Sequence, residues 1–326
     1  MWSKRLKLIL YIAVLFSIAG VFAKNPVIRQ VYCAGYLSKT PVIDGKVLND
    51  PVWKNIRHDS DFIKLGTNKP AESKTFMQVA YDKDNLYFGI VCKDLNISKL
   101  KAVFKDGQAL WKDDGIEFFI NPDRSKYYYQ LVQNTRGAMI ALRSLKAWKP
   151  EGLKKATCIG KDYYSIELAI PFSAMAQKTP VTGDKWTFNI ARNIYNSKTE
   201  RHISWTHLNA LYHELDNFGI LIFSGKKNRT GQVKVEITEL WREIKNYLNL
   251  CKKKNTIIHN QVKHLISENG YFIINEQVDN IVKLNEEQLI ALKKELKNLS
   301  FNLPEEIQAL EQGAIDRLRN SLFERQ

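Results

Sequence analysis

Two acids stand inside apolar strand patterns, Glu117 between Ile116 and Phe118 and Glu167 between Ile166 and Leu168. Carboxylates that face each other at a set separation hydrolyse glycosides. Nothing in the spacing of these two indicates a shared cleft, and no Gly-x-Ser-x-Gly, Ser-His-Asp order or phosphate loop accompanies them. The four cysteines, Cys33, Cys92, Cys158 and Cys251, have no Cys-x-x-Cys spacing, so zinc and redox motifs are absent. Cys92 and Cys158 lie in apolar strand patterns and are expected to be buried free thiols. His202, His207 and His213 lack the helical spacing of a metal site and are expected at the surface. Asp82, Asp84 and Asp94 are hard-oxygen candidates for a structural calcium, with turn stabilisation as the competing role because no contiguous ligand loop holds them. Catalysis finds no support in these residues.

A binding constellation is easier to assemble. Trp111 follows a loop containing Gly107 and precedes Lys112-Asp113-Asp114, which predicts an exposed ring at a strand entrance; the alternative is a rim residue packed on its own loop. Glu117 points to the face opposite Ile116 and Phe118, as a ligand group or as a solvated strand residue. Asn189 and Arg192 are odd in a strand of such hydrophobicity. Arginine offers a fork for paired hydroxyls or carboxylates, against which stands an ion pair with Asp113, Asp114 or Glu117. Gln130 and Asn134 are placed on the same surface. Trp53, Trp186 and Trp205 are assigned to the core, and Trp148 to an exposed loop that widens the platform.

The elements that must carry these residues are short. From Gln30 to about Phe223, β-runs alternate with turn residues: Thr75–Tyr81 and Leu86–Cys92 flank Asp82-Lys83-Asp84-Asn85, and Ile116–Asn121, Tyr127–Gln133, Ala138–Leu142, Tyr163–Ile170, Trp186–Ile194, His202–Trp205 and Phe218–Phe223 follow. About ten strands with few helices predict a mainly β chain, an antiparallel β-sandwich. One short helix is expected at Pro51, capped by Asn49 or Asp50, with Trp53 inward. Lys226–Gly231 reads as a linker. Beyond it Leu240, Ile244, Leu248 and Cys251 recur at helical spacing, Asn285 with Gln288 forms a capping box, and Pro304 opens a last helix. This α-helical tail has amphipathic faces for packing on itself, on the sandwich or on a partner.

The chain has 326 residues, enough for two domains, and its net charge of +15 divides into +12 before Lys226 and +3 from Lys226 onward. The lysines are dispersed rather than striped, which argues against a nucleic-acid partner. Lys4, Arg5 and Lys7 precede an uncharged run from Leu8 to Ala23 ending Val21-Phe22-Ala23, the pattern of a signal peptide cleaved after Ala23. The run is shorter than the roughly 20 residues of a spanning helix. The division is therefore 1–23 signal, 24–225 sandwich and 226–326 helical tail, in a secreted or periplasmic protein.

Six segments in order carry a resemblance. They are Val42-Ile43-Asp44-Gly45 with Asp50-Pro51-Val52-Trp53, Ala80-Tyr81-Asp82 with Leu86-Tyr87, Trp111-Lys112-Asp113-Asp114-Gly115-Ile116-Glu117, Glu167 to Phe172, Trp186 to Arg192, and Phe218-Gly219. Over about Val42 to Phe223 the chain resembles the family 9 carbohydrate-binding modules. The resemblance implies a jelly-roll-like sandwich that holds a terminal sugar between two aromatic rings, here Trp111 and Tyr212, with Glu117 as the sugar-bonding acid. The second ring is Tyr where the family has Trp, and Val132 stands where the family can use a basic residue. Chemically the assignment is coherent, since a sugar offers an apolar C–H face to a ring and hydroxyls to side-chain amides and acids. The implied partner is a poly- or oligosaccharide, in support of polysaccharide capture or breakdown. Related sandwiches also hold structural calcium, or haem. The haem version, a periplasmic electron-transfer protein, needs axial ligands such as Met77, Met139 or Met175. A third reading is a surface protein whose sandwich has lost its ligand.

Overall fold

The computed structural model describes residues 27–254, 261, 262, 264 and 271–323; the N-terminal apolar run and its Ala23 site lie outside them. Thirteen strands among these residues form one curled mixed sheet: β1 (Val31–Tyr36), β2 (Ile63–Lys64), β3 (Thr75–Tyr81), β4 (Asn85–Lys93), β5 (Gly115–Asn121), β6 (Tyr129–Asn134), β7 (Met139–Arg143), β8 (Lys146–Ala147), β9 (Lys154–Ile159), β10 (Tyr163–Pro171), β11 (Lys185–Asn193), β12 (His202–Ser204) and β13 (Gly219–Phe223). One blade runs β8-β7-β6-β5-β11-β13 and the other β3-β4-β10-β9, each antiparallel throughout. β1 joins them and is parallel to both neighbours, Val31 to Ala34 beside β13 and Gly35 to Tyr36 beside β3. Alternation along a strand sets which face is buried but not the direction of its partner, so these parallel pairings were not legible in the sequence. Strand β9, anticipated in the sequence only through the strand pattern around Cys158, was not among the expected β-runs. It is an edge strand opening Lys154-Lys155, with Cys158 half-buried rather than buried as expected.

Between the blades lies the main core. Phe88 and Ile90 of β4, Ile116, Phe118 and Ile120 of β5, Ile166 and Leu168 of β10, and Phe188 and Ile190 of β11 all point into it, with Trp186 and Trp205. Trp148 packs on its edge with its ring 4.6 Å from that of Tyr129 and its Nε1–H on the Ala174 carbonyl, so it is not the exposed platform ring expected. Helix α1 (Pro51–Lys54) is capped by the Asp50 side chain, which accepts from the Val52 N–H at 2.7 Å, and it presses Trp53 against the second blade. A Cβ on Gly89 would lie 2.9 Å from the Trp53 ring, so β4 needs glycine there.

The tail forms α2 (Arg229–Lys254), α3 (Tyr271–Asp279) and α4 (Glu286–Phe323). The expected linker is shorter than drawn, because α2 begins inside it at Arg229. The capping box is present: the Asn285 N–H bonds Gln288 Oε1 at 3.0 Å and the Gln288 N–H bonds Asn285 Oδ1 at 2.9 Å. Pro304 does not open a new helix; α4 runs through it, with Leu303 and Ile307 on either side buried in the tail's core. That packing offsets the lost N–H donor. Ile237, Leu240, Trp241 and Ile244 of α2 meet Leu289, Leu292 and Leu296 of α4 on one side, and Val31, Cys33, Ile220 and Ile222 of the sheet on the other. The helices thus pack on each other and on the sandwich. Buried charges add to this contact. Arg57 pairs with Glu236 and Asp59, Lys297 with Asp59 and Asp61, and Lys293 with Glu236, which also accepts the Cys33 N–H.

Candidate functional site

In β5 the residues between the core positions, Glu117 and Phe119, face away from the core. The register sets Glu117 opposite Val132 of β6 and Ala191 of β11, and Phe119 opposite Gln130 and Asn189. Gly115, which opens the strand, has Asn193 opposite, and a Cβ there would meet the Gln133 carbonyl oxygen at 2.3 Å. This outward face gathers amides and acids between apolar strands, as the alternation predicted.

Glu117 is the centre of that face. It is 3% exposed and accepts from Gln130 Nε2 at 2.8 Å and Asn193 Nδ2 at 2.7 Å. Burial raises its carboxyl above the usual range, and the two amide bonds pull the other way. Asn193 in turn holds His202 Nδ1 through its Oδ1 at 2.9 Å. Beside them Phe119 anchors a ring cluster with Tyr128, Leu208, Tyr212 and Phe218. Tyr128 is hydrogen-bonded to His213 Nδ1 at 2.6 Å. Burial lowers His202 and His213, so both rings favour the neutral form; His213 is exposed, as expected, whereas His202 and His207 are half-buried.

Trp111 lies in a 3-10 turn, Leu110–Lys112, against the start of β5 and the end of β6, and is 44% exposed. Its neighbours fix it. Asp113 and Asp114, both buried, accept backbone N–H groups, Asp113 from Phe104 and Asp114 from Lys101 and Tyr195. The charged run after Trp111 thus anchors loops rather than marking open surface. Tyr195, missed in the sequence, stands close by with the Lys101 Nζ 4.8 Å from its ring centroid and Arg201 at 5.5 Å.

Tyr212 occupies the site differently from the expected open ring. It is 8% exposed, its hydroxyl donates between the Arg192 and Ile203 carbonyls at 3.2 and 3.3 Å, and its ring meets Phe119 and His202 edge-on. It is a wall under the loop after β12, not a free stacking face. Asn189 is fully buried and saturated by Ser204 and the Thr206 N–H, which leaves it supporting that loop. Arg192 is a correction. It points to the core side, pairs with Asp94 at 3.1 Å and donates to Thr75 Oγ1 and the Lys93 carbonyl, so neither a ligand nor Asp113, Asp114 or Glu117 is its partner. Gln130 stays at the site through Glu117. Asn193 was missed although it follows Asn189 by four residues in the same strand, a parity that places both on Glu117's face.

The remaining candidates serve the fold. Asp82 accepts the Asp84 and Asn85 N–H groups and the Tyr87 hydroxyl, Asp84 pairs with Lys83, and Asp94 pairs with Arg192 and Asn196. Among the described residues no group of three His, Cys, Asp or Glu side chains is placed to hold a metal ion. Glu167, in the other blade, accepts from Trp53 Nε1 and from the Asp44 and Gly45 N–H groups, so it does not face Glu117 across a cleft. Met77, Met139 and Met175 are packed in the main core. No helix of the described residues is long and apolar enough to cross a membrane.

Residues 43–226 match the model of a family described as carbohydrate family 9 binding domain-like. No curated protein matches the chain. Among solved structures, a candidate carbohydrate-binding protein from Bacteroides uniformis is 17% identical with a TM-score of 0.51, over 60% of this chain and 100% of that one. That likeness is one of fold. A family 9 carbohydrate-binding module from Caldicellulosiruptor kristjanssonii in complex with cellotriose is 19% identical with a TM-score of 0.47, over 61% of this chain and 95% of that one. The same organism's module in complex with glucose gives 18%, 0.46, 61% and 97%.

Proposed function

The chain belongs to the carbohydrate family 9 binding domain-like family, and on that premise we propose that it is an exported, non-catalytic saccharide-binding protein. The sugar lies on the outward face of β5, β6 and β11, with its C–H face on the open Trp111 ring and its hydroxyls on Glu117, Gln130 and Asn193. The observation that carries this reading is the buried Glu117 carboxylate, held by two side-chain amides, on a strand that the turn of the exposed Trp111 contacts. Each amide keeps hydrogen-bonding capacity; Gln130 Oε1 has no partner within the protein. His202 and the Tyr128–His213 pair border the face. Arg192, Asn189 and Tyr212 act beneath it. Export follows from the Lys4-to-Ala23 pattern, and capture of a polysaccharide for breakdown is the role we assign.

The test is calorimetric titration of the full chain with glucose, cello-oligosaccharides and a panel of other saccharides. Trp111→Ala is expected to weaken the best ligand about tenfold, the order of an aromatic stacking contribution. A fold with no saccharide affinity at all, or one unchanged by Trp111→Ala, overturns the assignment and leaves the ligand-free surface protein.

A further inference from the structure

A second site lies away from that face, where the segment Arg57 to Lys74 meets α2 and α4. A cleft of about 570 Å³ opens there. Its inner wall holds Arg57, Lys293 and Lys297, which pair with Asp59 and Asp61 of the lining and with Glu236 outside it, three cations against three anions. The rim is not balanced. Lys74, Arg229 and Lys294 line the cleft and have no carboxylate within ion-pair distance among the described residues, while Glu286 is the one lining acid outside the paired set. Of the inner cations, Arg57 is 8% exposed and its Nε–H has no partner. Phe62, Ile290 and Phe301 give the cleft an apolar side.

We propose that this cleft is an anion-binding site for a small organic ligand bearing at least one carboxylate, sulfate or phosphate group. The oxyanion would sit between Arg229, Lys74 and Lys294, with its carbon skeleton toward Phe301. Neighbouring cations add to the effect of burial on two titratable groups in the cleft. Burial first, then Arg57 and Lys297, hold Lys293 down to about 8 despite its pairing with Glu236. Burial first, then Arg229 and Arg57, lower His58. An anion arriving there gains from charge-assisted donors in a partly enclosed space, where screening by salt is weaker than on an open surface.

The experiment uses the full chain, with calorimetric titration of glucose 6-phosphate, glucuronate, inorganic sulfate and inorganic phosphate, and with glucose as the uncharged arm. At least one anion is expected to bind with an affinity that falls as salt rises. Arg229→Gln with Lys294→Gln should weaken it at least about tenfold, the loss expected when charge-assisted bonds are removed. Both positions are exposed, so circular dichroism should show an unchanged fold. Trp111→Ala should leave anion binding in place, which separates this site from the saccharide face whatever happens there. Tighter binding of the organic anions than of sulfate and phosphate assigns the apolar wall its role. No binding by any anion, or binding indifferent to the double substitution, overturns the proposal.

Discussion

The carboxyl of Glu117 is enclosed with both oxygens on amide N–H groups and no cation beside it, since the causes acting on it are burial and the Asn193 and Gln130 bonds. Its folded form therefore holds a proton to higher pH than the unfolded chain does. Stability contributed by this group falls as pH rises from the ordinary carboxylate range to the raised folded value. Glu117→Gln removes that penalty, and the Gln130 and Asn193 amides can turn to meet the new side chain. We expect a melting temperature no lower than that of the parent chain and a saccharide affinity about tenfold or more weaker, checked by thermal unfolding and titration of the same preparation. Stability and binding moving in opposite senses would mark a residue kept for its ligand. Arg192 gives the contrasting case: its burial and its bonds to Asp94, Thr75 and Lys93 assign it to the core, and the type of residue alone did not separate these roles.

At the scale of elements, β4 and α1 fit only because position 89 has no side chain. Gly89→Val would press on the Trp53 ring, and a loss of about 2 kcal/mol in urea unfolding is expected, in the range of core overpacking. Helix α4 is tied to the sandwich by Lys293 and Lys297. Lys293, 12% exposed, has a folded pKa of about 8 against 10.5 for the free side chain, chiefly through burial. The unfolded chain then binds more protons between those two values, so this group's contribution to stability rises as pH rises through that window and its penalty is complete below it. The shift corresponds to about 3 kcal/mol. Unfolding free energies of Lys293→Met and the parent chain, measured from pH 7 to pH 10.5, should differ in slope, with the rise absent from the variant. Glu236 serves Arg57, Lys293 and the Cys33 N–H together, and Glu236→Ala should cost about 3–5 kcal/mol because it leaves the buried Arg57 and Lys293 to share Asp59 with Lys297.

Across the whole molecule, the helical tail covers the outer face of β1 and β13. A chain ending at Gly225 would expose Val31, Cys33, Ile220 and Ile222 and leave Arg57 without Glu236. Such a fragment should aggregate or melt well below the full chain, as seen by size-exclusion chromatography and circular dichroism; equal stability would show the helices to be dispensable. The sequence by itself determined the strand faces, a cap at Asn49 or Asp50, the Asn285 capping box and the tryptophans of the core, and it offered Trp111 with Glu117 as candidate site residues. All of these follow from local periodicity and from polar residues standing where a buried strand should have none. Tertiary structure alone decided that β1 runs parallel between two blades, that Tyr212 and Arg192 turn inward, that Asn193 completes the Glu117 site, and that Asp59, Glu236 and Lys297 meet. Those residues lie far apart along the chain, and a one-dimensional pattern records which way a side chain points but not what waits for it there.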